Sequence, residues 1–133
     1  MTDRQIQFAL KKVEAAKQGK YFTEAYIKSY TLNIGMIKFI LKALSPTTDV
    51  EKLKAKPLIK HFMKEVSLHP EMKAIIHKRS LKSVQLWVSK ADGFFKDLKH
   101  GHENPSQPLL HESEKVFSLL KISVNKLLVK AKK

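Results

Sequence analysis

The segment Lys96-Asp97-Leu98-Lys99-His100-Gly101-His102 sets a cation, a carboxylate and imidazoles within one short stretch. Metal-independent RNA cleavage could use such a group. Imidazole moves the proton of a ribose 2′-hydroxyl, and an ammonium group stabilises charge developing on the phosphate. Lys96, Asp97 and His102 are therefore the candidate catalytic residues. The bland alternative is an ordinary polar surface, because a chain with 26 Lys/Arg and 6 His generates a lysine and a histidine at this spacing readily.

A second pattern concerns binding. Lys52, Lys56, Lys60 and Lys64 recur every four residues and form one basic stripe if the segment is a continuous helix. Lys78, Arg79 and Lys82 make a second cluster. Together these seven are the candidate nucleic-acid-binding residues, set against a plain solvated lysine face. The formal charge of +14 is distributed as +4 over residues 1–49, +7 over 50–100 and +3 over 101–133, so it belongs to folded segments and not to a tail. Such a surface attracts RNA, DNA, anionic lipid or an acidic protein.

Other chemistries find no support. The absence of cysteine excludes disulfides, thiolate catalysis and thiolate zinc sites, and fits a cytoplasmic protein. There is no glycine-rich phosphate loop, no His-Glu-x-x-His pair and no acidic ladder for calcium or magnesium. Only His100 and His102 are close enough in sequence to suggest a metal pair, with Glu103 as the sole nearby carboxylate, and neither a metal nor a cofactor is expected. The 12 acids are scattered among lysines and read as solvated. Nothing near Met1 resembles a secretion signal, and the most apolar stretch, Tyr30 to Leu44, is interrupted by Asn33, Lys38 and Lys42 and is too short to span a bilayer.

Helices must position these residues. At 133 residues the chain has room for one domain, residues 1–133, with a single core. Apolar residues recur at helical spacing in five stretches, and none alternates at period two. Helix one is predicted over Asp3 to Gln18, capped by Thr2 or Asp3 and stopped by Gly19. Helix two, Tyr21 to Leu44, is apolar around much of its circumference and belongs in the centre of the bundle. Helix three spans Val50 to Ser67 with a possible break at Pro57. Helix four runs from Glu71 to Lys99, with a possible kink at Gly93. Residues 100–108 form a loop, and helix five covers Leu109 to Lys130. The expectation is an all-α, four- or five-helix bundle.

On these residues the chain resembles the HEPN superfamily of small helical bundles. The run from Ala9 to Tyr26, with its Gly19-Lys20 turn, is similar to that family's first helix, turn and second-helix start. The C-terminal half, a long helix ending in a charged group, a proline-containing loop and a final amphipathic helix, is similar too. The family signature is an arginine, a polar residue and, a few residues later, a histidine. Lys96, Asp97 and His102 follow it with lysine in place of arginine, which keeps the charge but lacks the planar fork that grips phosphate twice. The resemblance implies a homodimer, joined through the helices that bear the motif, which binds RNA or a nucleotide-linked partner as a degraded or inactive ribonuclease. The competing expectation is a non-enzymatic interaction module that docks an acidic protein on its basic surface.

Overall fold

A computed structural model describes residues 2–101 and 106–131, and they are all-α: α1 (Asp3–Gln18), α2 (Phe22–Leu44), a 3-10 turn (Val50–Lys52), α3 (Ala55–Leu68), α4 (Pro70–Ile75), α5 (Lys78–Lys99) and α6 (Gln107–Ala131). Five helices are long, as the apolar periodicity predicts, and α4 is a short extra piece. No helix among the described residues is long and apolar enough to cross a membrane.

Local chemistry explains most of the boundaries. Thr2 and Gln5 form a reciprocal capping box at the start of α1, with the Thr2 N–H donating to Gln5 Oε1 at 2.8 Å and the Gln5 N–H donating to Thr2 Oγ1 at 3.2 Å. Helix α1 stops at Gly19, yet the left-handed residue is Lys20, at φ 63°. Glycine serves a different purpose at 19, since a Cβ there would stand 2.8 Å from the Tyr21 ring.

Two expected boundaries move. The break in the third helical segment precedes Pro57: Leu53 and Lys54 are extended, and Pro57 becomes the third residue of α3, where its missing N–H has no intrahelical acceptor to lose. The expected helix over Glu71–Lys99 divides at Ile76-His77, not at Gly93. Ile76 leaves the helix in an extended conformation and is fully buried, so burial of one side chain outweighs continuity of the backbone ladder. Helix α5 runs through Gly93 uninterrupted. The last helix begins two residues earlier than expected, with Pro108 in its first turn, where proline is tolerated.

Helix α2 is central, packing against α1, α3 and α6. Met36, Ile37, Ile40 and Leu41 meet Leu58, Phe62 and Val66 of α3 and Val116, Leu120 and Val124 of α6 in the main core. At the other end, Ala16, Ala25 and Ala91 leave room for a second cluster containing Tyr26 and Phe94. An aromatic layer joins α2 to α5: Tyr26 meets Phe94 edge-on at 4.9 Å, and Tyr30 lies 5.2 Å from Trp87 and 5.0 Å from Phe95.

A buried polar knot fixes the register of α2 on α6. Ser29 and Ser113 share a hydrogen bond of 2.7 Å, and Asn33 Nδ2 donates to the Ser113 carbonyl at 2.9 Å and to its hydroxyl at 3.0 Å. A slip of either helix would strand these groups away from water. Further out, Lys17 reaches Glu114 at 3.0 Å and Lys121 pairs with Asp3, both tying α1 to α6.

The Tyr26 hydroxyl is buried with no hydrogen-bond partner among the described residues. Burial, reinforced by the Glu112 carboxylate and by Tyr30, raises its pKa. Removing an unsatisfied hydroxyl costs little and relieves its desolvation, so Tyr26→Phe should stabilise the fold by about 1 kcal/mol in denaturant titration at neutral pH. A folded pKa above the unfolded one means that stability is complete below pH ~10 and falls as pH rises beyond it. Tyr26→Phe should lessen that alkaline loss. A destabilised Tyr26→Phe would show that the hydroxyl is satisfied.

Candidate nucleic-acid interface

Helices α3 and α5 pack against each other, and their charged faces meet at one side of the bundle. Lys56, Lys60 and Lys64 lie on one exposed face of α3, at successive turns. Lys52 does not continue that row. It sits in the 3-10 turn beyond the extended Leu53-Lys54 pair, 3.6 Å from Asp49. The sequence stripe of four is therefore a helical row of three.

On α5, Lys78, Lys82, Gln85, Ser89, Asp92 and Lys96 are spaced by four, three, four, three and four, a helical repeat along a single side. Arg79 falls off it, four residues before Ser83 and seven before Leu86, which line the groove between α5 and α6. The two helices run antiparallel here, because Lys56 meets Asp92 while Met63 shares a cleft with Gln85. Lysines of both helices consequently lie along the same face. Neither α3 nor α5 has an acid in its first turn, while α5 opens on Lys78 and Arg79. Cations there oppose the helix dipole, each at a typical cost of ~0.3 to 1 kcal/mol.

Asp92 is the acid at one end of this face, beside the first turn of α3 and near the end of α5. Its Oδ2 lies 3.4 Å from the Lys96 ammonium and 3.6 Å from that of Lys56. The hydrogen bond from Lys96, helped by the charge of both lysines, lowers its pKa and keeps it ionised at lower pH than usual. Next to this junction lies a cleft of about 430 Å³ between the helices, with Ile59, Met63 and Val88 on its apolar side, Gln85 and Ser89 on its polar side, and Lys56 and Lys60 at its edge.

The candidate catalytic group is only partly placed. Lys96 is exposed and directed to Asp92, within the basic face. Asp97 is half-buried and, as the next residue on the helix, projects about 100° away from Lys96. His102 lies outside the described residues. His100 ends α5, its backbone N–H donating to the carbonyls of Lys96 and Asp97, and Gly101 follows at φ 78°. Among the described residues no group of three or more His, Asp or Glu is arranged to hold a metal ion.

Sequence reasoning missed Asp92, Gln85 and Ser89. The Asp92–Lys96 pair was visible as an i,i+4 spacing, but the approach of Lys56 and the cleft depend on how α3 meets α5. No known family, curated protein or solved structure matches the chain.

Proposed function

We propose that the protein binds nucleic acid, RNA first among them, through the basic face formed by α3 and α5. The observation that carries this reading is the convergence of lysines from two helices onto one face, where Asp92 is engaged by two of them. Lys56, Lys60, Lys64, Lys78 and Lys82 supply the charge, and Lys96 joins them as a phosphate-binding cation. Neutralising phosphates releases condensed counterions, a driving force that needs no base recognition and no metal. Lys78, which opens α5 on this face, supports the same reading, since a bound anion relieves its conflict with the helix dipole. The likeness to HEPN proteins accords with an RNA partner.

A titration of labelled RNA with the purified protein at low salt tests the proposal, with polyglutamate as competitor. RNA should bind, and polyglutamate of equal total charge should displace it poorly. Absence of RNA binding contradicts the proposal, and efficient displacement by polyglutamate favours an acidic protein as the partner.

A further inference from the structure

The lysines of the α3–α5 face account for attraction to any polyanion, but they do not account for the cleft beside them. A purely electrostatic face needs no depression, and an aliphatic wall contributes nothing to phosphate binding. We infer that this cleft receives an unpaired base, so that the ligand is a single-stranded nucleic acid; the inference rests on the nucleic-acid reading above.

Three features converge. The cleft, about 430 Å³, falls within the size range of small-ligand pockets and is ample for one heterocycle. The half-buried Met63, over a floor of buried Ile59 and Val88, offers an apolar contact to the face of a base, and its flexible, polarizable thioether adapts to a planar ring. Gln85 and Ser89, one turn apart on α5, offer an amide and a hydroxyl to the base edge, where hydrogen bonding distinguishes bases.

The charged groups sit where a backbone would pass. Lys60 lines the cleft, and Lys56 stands both at its edge and against Asp92. One carboxylate oxygen lies within 3.6 Å of both the Lys56 and the Lys96 ammonium groups, so two cations from different helices already share one anionic oxygen. A phosphate at that junction would take the same two cations, with the base of its nucleotide reaching the neighbouring cleft. Asp92 then acts as an internal counterion that the strand displaces. A duplex cannot use this arrangement, since its bases are stacked and paired and it presents only its phosphates to the face.

The test measures binding of labelled oligouridine and of duplex RNA of the same length to three proteins: wild type, a Gln85→Leu/Ser89→Leu double variant, and Ser83→Leu. The double variant fills the cleft and leaves every charge in place, whereas Ser83 lines the groove on the other side of α5. Melting temperatures establish that all three are folded. The double variant should lose about tenfold in affinity for oligouridine, the loss expected from one or two hydrogen bonds to the base edge. Its affinity for duplex, and both affinities of Ser83→Leu, should match wild type. Unchanged oligouridine binding by the folded double variant overturns the inference while leaving the nucleic-acid reading standing, as does an equal loss toward duplex. Failure of wild type to bind either RNA overturns the parent reading.

Discussion

Trp87→Ala should destabilise the protein by about 3 to 5 kcal/mol, the usual cost of emptying a large aromatic site in a core. Trp87 is 1% exposed and belongs to the main cluster, with its ring against Tyr30. At a few degrees per kcal/mol for a domain of this size, the melting temperature should fall by roughly 10 to 20 °C. The indole N–H has no hydrogen-bond partner among the described residues, so its contribution is shape and apolar area. Trp87→Phe should therefore recover much of the loss. The effect reaches the interface as well. Trp87 precedes Val88 on α5 and helps to hold that helix against α2 through Tyr30, so loosening it should release Gln85, Ser89 and Asp92 from their places opposite α3. Chemical denaturation of both variants checks the prediction, and a loss under about 1 kcal/mol in Trp87→Ala would contradict the assigned packing.

The second large effect concerns affinity. Exchanging Lys56, Lys60 and Lys64 for glutamine should weaken RNA binding by roughly a hundredfold at 0.1 M salt. Counterion release contributes about 0.7 of a log unit per neutralised phosphate for each tenfold fall in salt, and three contacts are removed. Net charge alone would produce a smaller, diffuse effect. A control with Lys11, Lys12 and Lys126 exchanged removes the same charge from exposed positions on α1 and α6. That control should keep most of the affinity. Equal losses in the two triple variants would mean that total charge, and not the α3–α5 face, governs binding.

The fold was largely legible in the sequence because its helices announce themselves locally. Thr2, Gly19 and the apolar spacing bounded α1 correctly, and the nearly all-round apolarity of Tyr21–Leu44 marked the central helix. The failures have a common origin in tertiary packing. Ile76 looked like one more apolar position of a long helix, yet it leaves the helix to enter the core. Pro57 looked like the break itself, yet it is accommodated in a first turn whose start lies at Ala55. Asn33 read only as an interruption in an apolar run, whereas it donates to Ser113, 80 positions away in the chain.

The interface was half legible for the same reason. Spacing by four identified Lys56, Lys60 and Lys64 as a row, since that relation is internal to one helix. It carries the row on to Lys52 only if the helix is continuous, and the extended Leu53-Lys54 link ends the helix first. Asp92 and the cleft arise only where two helices separated by α4 come together, and no periodicity within either helix encodes that meeting.

Backbone amide shifts measured by NMR during titration with oligouridine test the central claim most directly. The α3–α5 interface predicts perturbations concentrated at residues 56–64 of α3 and 82–96 of α5, with Lys60, Gln85 and Ser89 among the largest, and little change along the exposed side of α1. Perturbations centred on α1 or α6, or none in α3 and α5 at saturating RNA, would contradict it.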